Sequence, residues 1–291
     1  MSGQTRQALA DAGLDPAYVL DLVQRAVAED LAGGVDVTSV ATVPEGLRGV
    51  AAFVPRQAGT VAGTAVAMAV LDHVVDGVTH RIVGRDGPAI VGRPVLEAEG
   101  PVRMLLTAER SALNLLCHLS GVATLTRRWV DAVEGTGARI RDTRKTTPGL
   151  RALEKYAVRA GGGTNHRMSL SDAALVKDNH VVAAGGVREA FEAVRQAFPG
   201  LAVEVECDTV AQVREVLAAG ADLVLLDNMA LDELREAVAA CRERGVMTEA
   251  SGGLTLDTAR AVAETGVDYL AVGALTHSAP VLDLGVDLRT V

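Results

Sequence analysis

Aromatic residues are scarce. Three Phe, three Tyr and one Trp make up 2% of a 291-residue chain. A core must therefore be built from Ala, Val and Leu, and stacking on successive bases of single-stranded nucleic acid is disfavoured. Cysteine is scarcer still. Cys117, Cys207 and Cys241 are odd in number and widely spaced, with no CxxC, which excludes a disulfide framework and a Cys-rich zinc site and points to a reducing compartment. Positive charge is in deficit: 28 Lys and Arg against 37 Asp and Glu leave a net −9, a poor match to phosphate backbones. No long apolar run exists. The first 20 residues hold no signal core, and Val61–Leu71 is too short for a bilayer, which needs about 20 residues. A soluble cytoplasmic protein is expected, with no nucleic-acid or membrane partner. Disorder is excluded by a hydrophobic content of 49%, and the length fits one large or two moderate domains.

What is present divides the chain in two. The second half alternates short apolar runs with amphipathic stretches. Strands are predicted at 138–142, 174–177, 201–206, 222–227, 246–250 and 268–272, with helices at 187–198, 209–220 and 231–245 between them. The strand ends Glu206, Asp227 and Glu249 lie 21 and 22 residues apart, one strand plus one returning helix. Gly220 and Gly245 stand where helix C-caps belong. Repeated βα units give a parallel sheet or barrel. The first half reads differently. A helix is expected over 16–31. Residues 48–106, rich in Val, Gly and Pro, fit antiparallel strands and turns. Thr107 is placed as the N-cap of a helix over 108–133, with a kink or break at Ser120-Gly121.

In βα barrels chemistry sits where strands hand over to helices. There this sequence places Thr143-Arg144-Lys145, Lys177, Glu206, Asp227, Glu249 with Ser251-Gly252-Gly253, and Gly273-Ala274. Segment 141–180 holds eight Lys and Arg against four acids, a cationic island suited to a small anion. The helical spacing of Arg151, Lys155 and Arg159 reads instead as a solvated face. Glu206 and Asp227 on adjacent strands suit Mg²⁺ with phosphate and water oxygens, or an ion pair with a nearby cation. Ser251-Gly252-Gly253 and Gly273 are Gly turns at helix starts, where backbone amides bind phosphate, and His277 lies within reach of the second. His73, His80 and His118 read as surface or satisfied core histidines. No GxSxG, no Ser-His-Asp arrangement and no zinc-spaced His pair occurs, and the cysteines lack a placed base.

Long ordered motifs then carry a resemblance. Asp142-Thr-Arg-Lys-Thr-Thr-Pro-Gly-Leu-Arg151, Leu153-Glu-Lys-Tyr-Ala157, Gly161-Gly-Gly163, Asn165-His-Arg167 and Lys177-Asp-Asn-His180 resemble quinolinate phosphoribosyltransferase. So do Glu109-Arg110, Leu113-Asn-Leu-Leu116, Leu226-Asp-Asn-Met229, Glu249-Ala-Ser-Gly-Gly253 and Val272-Gly-Ala-Leu-Thr-His-Ser278. Gly253 departs from the Asn that many relatives carry. The resemblance spans about 105–285 and covers residues 1–104 only in general layout. It implies an α/β protein with a mixed α/β N-terminal sandwich domain (1–118, with tail 279–291 returning to it). An incomplete (β/α) barrel of six or seven strands would cover 119–278. It implies transfer of phosphoribosyl from 5-phosphoribosyl 1-diphosphate to quinolinate with decarboxylation, giving nicotinate mononucleotide for NAD biosynthesis.

Thr143, Arg144, His166, Arg167, Lys177 and a partner subunit's copy of Arg110 would bind quinolinate. Lys145, Glu206, Asp227, Ser251, Gly252, Gly253, Gly273, Ala274 and His277 would bind the phosphoribosyl diphosphate. Lys145, Lys177, Glu206 and Asp227 are the expected catalytic set, with Mg²⁺ on Glu206 and Asp227, in a homodimer or larger oligomer. The alternatives are a Schiff-base aldolase using Lys177, a non-catalytic paralogue from a molybdate-transport-associated branch, and, less favoured, a nicotinate-specific transferase.

Overall fold

The computed structural model describes residues 1–84 and 86–291, and the chain divides into two units. The first comprises 1–125, 152–162 and 278–291, and the second 126–151 and 163–277.

The first unit holds helices α1 (Gly3–Asp11), α2 (Pro16–Leu31), α3 (Val37–Thr42), α4 (Thr64–Val74), most of α5 (Val102–Ala132) and α6 (Arg151–Ala160). Its strands are β1 (Arg48–Pro55), β2 (Thr60–Val61), β3 (Thr79–Ile82), β4 (Gly87–Pro88), β5 (Leu96–Pro101) and β12 (Leu284–Thr290). Four form an antiparallel sheet in the order β12-β1-β5-β3, and β2 pairs with β4. The C-terminal tail thus supplies an edge strand, Val286 opposite Phe53. Helix α2 starts as its sequence dictates: Asp15 accepts a hydrogen bond from the Ala17 N–H and Pro16 takes the first turn.

Four expectations are corrected here. Residues 64–74 form a helix rather than part of an antiparallel run. Its first eight residues are all buried, so its apolar sequence shows no period, and the Asp86 carboxylate accepts from the Gly63 and Thr64 N–H groups at its start. Thr107 is not an N-cap. The helix begins at Val102, and the Thr107 hydroxyl donates back to the Arg103 carbonyl at 2.9 Å. Nor does α5 break at Gly121. A Cβ there would stand 2.2 Å from the Pro280 carbonyl oxygen, so the glycine makes room for the tail. Finally, α6 has no continuous solvated face, because Leu153 to Val158 are all buried and Lys155 is 0% exposed. The histidines fall as read: His80 pairs with Asp72 at 2.6 Å, His118 with Glu154 at 2.9 Å, and His73 is exposed.

The second unit is the βα half. It runs β6 (Arg139–Arg141), β7 (Ala174–Val176), α7 (Asp178–Ala184), α8 (Val187–Ala197), β8 (Val203–Cys207), α9 (Val210–Ala218), β9 (Leu223–Asp227), α10 (Leu231–Arg242), β10 (Met247–Ser251), α11 (Leu256–Ala263), β11 (Tyr269–Ala271) and α12 (Ala274–His277). All six strands are parallel, in the order β6-β11-β10-β9-β8-β7. The open seam of this incomplete barrel lies between β7 and β6. There Thr164 makes a single parallel bridge to Arg141. Its N–H donates to the Ile140 carbonyl at 2.8 Å, and its carbonyl accepts from Asp142 at 3.1 Å. The following two residues, Asn165 and His166, are thereby carried along the barrel wall without a regular strand. Gly220 and Gly245 adopt positive φ just beyond α9 and α10, the C-cap role expected of them.

Candidate active site

A cavity of about 600 Å³ opens at the C-terminal ends of the strands in the second unit. Strand geometry selects what enters it. Side chains two apart share a face, so each strand offers its last inward residue and the one beyond. The pairs are Leu175 and Lys177 at the end of β7, Leu225 and Asp227 on β9, and Glu249 and Ser251 on β10, while β8 presents Glu206. The register agrees: Glu206 lies opposite Leu225, and Ser251 opposite Asp227.

Of the residues singled out from sequence, Thr143, Arg144, Lys145, His166, Arg167, Lys177, Glu206, Asp227, Ser251, Gly252 and Gly253 line this one cavity. Gly273, Ala274 and His277 do not. They stand at its edge, where a Cβ on Gly273 would lie 2.9 Å from the Lys145 Cδ and 3.3 Å from the His277 Nε2. The Thr276 hydroxyl there donates to the Lys145 carbonyl at 2.7 Å, anchoring the loop that carries the lysine. Arg110 belongs to the first unit, exposed on α5, and is not among the lining residues.

The charges separate. The Nε atoms of Arg144 and Arg167 are buried and have no partner among the described residues. Burial, then the neighbouring Arg144, holds the Arg167 guanidinium below its ordinary pKa. Two crowded, undersatisfied guanidiniums suit planar anions such as carboxylates. In the same cavity, the Lys177 Nζ donates to Glu206 Oε2 at 3.0 Å, and the Asn228 amide donates to Asp227 Oδ2 at 2.6 Å. Each carboxylate keeps a second oxygen. Two oxygen donors of this kind suit a hard divalent cation that takes its remaining ligands from water and phosphate.

The glycine turn beyond β10 is shaped by Asn228. That residue is left-handed, with φ 53°, and its N–H donates to the Ser251 carbonyl at 3.0 Å. Its side chain then fills the space beside Gly252, where a Cβ would meet Asn228 Oδ1 at 2.2 Å. Gly252 and Gly253 both have positive φ, 86° and 60°, so the turn needs glycine on conformational grounds as well as for space.

Of the layer beneath, sequence reading singled out Glu249 and missed Arg141 and Glu204. Glu249 lines the cavity and accepts from the Arg141 guanidinium at 2.7 Å. Glu204 accepts from His166 Nε2 at 2.5 Å, and Asp142 accepts from the His166 backbone N–H at 2.8 Å and from the Asn165 amide at 2.5 Å. Glu204 and Glu249 are 3% and 1% exposed. Burial, then the charge of Glu204, pushes the Glu249 carboxyl up to about 8, with Arg141 opposing. His166, Glu204 and Glu249 bring ligand-type atoms within 4.8 Å of one another, the one such cluster among the described residues. The signal for this layer was the alternation Val203-Glu-Val-Glu206, which puts Glu204 on the face of Glu206. The cysteines play no part: burial raises Cys207 to about 12 and Cys241 to about 11, far from a nucleophilic thiolate.

Comparison with known proteins gives a consistent result. Residues 36–120 match the family model for the quinolinate phosphoribosyl transferase N-terminal domain, and 122–287 that for the C-terminal domain. The chain is 53% identical over 287 residues to a Mycobacterium leprae protein named nicotinate-nucleotide pyrophosphorylase (carboxylating), covering 96% of this chain and 100% of that one. It is 44% identical to a probable nicotinate-nucleotide pyrophosphorylase of Bacillus subtilis, over 82% of this chain and 83% of that one. The solved structure of NadC from Streptococcus pyogenes superposes with a TM-score of 0.91 at 38% identity, covering 96% of this chain and 99% of that one.

Proposed function

The chain belongs to the quinolinate phosphoribosyltransferase family, and we infer that it transfers phosphoribosyl from 5-phosphoribosyl 1-diphosphate to quinolinate, releasing CO₂ and diphosphate and leaving nicotinate mononucleotide. The observation that carries this reading to the site is the pair of buried, unpartnered arginine Nε atoms in one cavity with the carboxylates of Glu206 and Asp227. Quinolinate carries two carboxylates, and a bidentate guanidinium suits each.

Arg144, Arg167, His166, Lys177 and Thr143 bind quinolinate in this reading and orient its ring nitrogen. Ser251, Gly252, Gly253 and, at the edge, Gly273, Ala274 and His277 hold the 5-phosphate through backbone amides and side chains. Glu206 and Asp227 would hold Mg²⁺. When bound there, that ion supplies positive charge against the departing diphosphate. Lys145 adds charge on the same side. The ribosyl carbon gains positive character as diphosphate leaves, so no side-chain nucleophile is needed and positioning and charge supply the catalysis. Lys177 is half exposed and ion-paired with Glu206, a poor setting for the neutral amine a Schiff base needs.

Family membership supports the finer parts of the reading. The enzyme would work as a homodimer or larger assembly in which Arg110 completes a neighbour's quinolinate pocket. It would act in the cytoplasm; no helix among the described residues is long and apolar enough to cross a membrane. The test is direct: purified protein with quinolinate, 5-phosphoribosyl 1-diphosphate and Mg²⁺, following CO₂ and nicotinate mononucleotide together. Product that requires all three additions is expected. No product with quinolinate would overturn the reading, and product with nicotinate instead would reassign the substrate.

A further inference from the structure

The inferred reaction requires a proton whose donor has not been assigned. When the bond from ring carbon 2 to its carboxylate breaks, CO₂ leaves and the electron pair stays on the carbon, beside the ribosylated nitrogen. One proton must then reach that carbon. The cationic donors lining the cavity fall into three classes. Guanidinium groups ordinarily release a proton only above about 12, ammonium groups near about 10.4, and imidazolium near about 6.5. The imidazole class alone both gives a proton readily and regains it from water near neutrality. His166 is the histidine that lines the cavity.

Its surroundings fit a proton donor better than a plain anion clamp. An arginine would serve as the clamp with two parallel hydrogen bonds, the role given above to Arg144 and Arg167. His166 is instead tied to a carboxylate: Nε2 to Glu204 Oε2 at 2.5 Å, with the side chains 9% and 3% exposed. Burying a carboxylate costs several kcal/mol unless it is paired, yet Glu204 Oε1 has no partner among the described residues. The carboxylate is thus incompletely satisfied, and the hydrogen-bond partner of its Oε2 is the imidazole. The Asp142 carboxylate fixes the His166 backbone N–H at 2.8 Å. Glu204 from β8 and Glu249 from β10 stand close to the ring, with Arg141 of β6 paired to Glu249 and Asp142, just past β6, on the His166 backbone N–H.

We propose that His166 is the acid that protonates the ring carbon vacated by CO₂, and that Glu204 is the positioning residue that holds it for that step. The C–C bond breaks, its electron pair takes the proton on His166 Nδ1, and the neutral imidazole regains a proton from water. The proton on Nε2 belongs to the pair with Glu204. Without the donor, the carbanion recaptures CO₂ and quinolinate mononucleotide persists.

This rests on the function inferred above, and the experiment separates the two. Quinolinate labelled with ¹⁴C in its 2-carboxylate is mixed with 5-phosphoribosyl 1-diphosphate, Mg²⁺ and wild-type or variant enzyme, and rapid quench follows diphosphate, CO₂, quinolinate mononucleotide and nicotinate mononucleotide. Wild-type enzyme that releases no diphosphate would defeat the inferred function itself. In His166→Asn, diphosphate is expected to run ahead of nicotinate mononucleotide, with the decarboxylation step slowed roughly a hundredfold or more. Added imidazole should restore that step in His166→Gly. Glu204→Gln should show a smaller lag, with the quinolinate KM within about twofold, and Glu249→Gln no lag. Nicotinate mononucleotide that keeps pace with diphosphate in His166→Asn, or a lag that appears in Glu249→Gln instead, would overturn the proposal. If His166→Asn is blocked at ribosyl transfer, supplying quinolinate mononucleotide directly gives the same readout: decarboxylation at the wild-type rate refutes the role.

Discussion

Glu249 offers the sharpest stability test. It is 1% exposed, and its carboxyl is raised from 4.5 to about 8, first by burial and next by Glu204. At about 1.36 kcal/mol per pH unit, that rise corresponds to an upper limit of about 5 kcal/mol. The direction follows from which state holds the proton. Below the unfolded value both states are protonated and the full stability is present. As pH climbs toward 8, the unfolded chain ionises while folded Glu249 keeps its proton, so stability is lost at up to about 1.4 kcal/mol per unit. Above 8 the loss levels off. Glu249→Gln has the same shape, cannot ionise, and still offers Arg141 an oxygen. The variant should therefore be close to wild type at pH 5 and more stable by several kcal/mol at pH 8. Urea unfolding at pH 5, 6.5 and 8 measures this. The single tryptophan, Trp129, is 3% exposed in the second unit and reports that unit's unfolding by fluorescence. A stability difference that does not change with pH would refute the assignment of a protonated Glu249.

Two further outcomes follow from the cavity. Lys177→Ala should weaken quinolinate binding about tenfold to a hundredfold, the worth of a charged hydrogen bond, and unchanged affinity by titration calorimetry would remove the lysine from the quinolinate site. Gly252→Ala places a Cβ 2.2 Å from Asn228 Oδ1 at a φ of 86°, a strain of about 1–3 kcal/mol; it should raise the KM for 5-phosphoribosyl 1-diphosphate while sparing that for quinolinate, and equal effects on both would deny the turn a phosphate role.

The βα half was legible because buried parallel strands have no polar face to interrupt them. Leu223–Leu226 and Val203–Val205 announce themselves, and all six predicted strands coincide with observed ones to within about two residues. The same rule failed at Thr64–Val74. A helix buried on every side is also a continuous apolar run, and Ala and Val do not distinguish the two at that length. The start of α5 was misplaced because Thr107 resembles a cap until its hydroxyl is seen bonded to the preceding turn. Lys155 was read as solvated from its spacing, yet nothing in a sequence reports that an entire helix is enclosed.

The upper layer of the site was legible for a different reason from the lower one. Lys177, Glu206, Asp227 and Ser251 stand at or just past the ends of apolar runs, where charge has no structural excuse. Glu204 lies inside β8 and Arg141 closes β6, positions where the usual rule sends polar residues outward to water. A barrel inverts that rule, since helices cover its outer face and the apolar residues of β8, Val203, Val205 and Cys207, alternate with the inward Glu204 and Glu206. The seam between β7 and β6 was the least legible part. Gly163-Thr-Asn-His-Arg167 has no apolar run and reads as a loop, but the Thr164 bridge to Arg141 seats it in the wall of an unclosed barrel. A seventh strand there would have filled the gap with alternating side chains. The loop instead turns Asn165 to Asp142 and His166 to Glu204. The cations thus gather where the barrel fails to close: Arg144 and Lys145 beyond β6, His166 and Arg167 in the seam, and Lys177 beyond β7. The acids Glu206 and Asp227 come from strands within the sheet. The grouping of these cations in one part of the cavity follows from where the sheet stops.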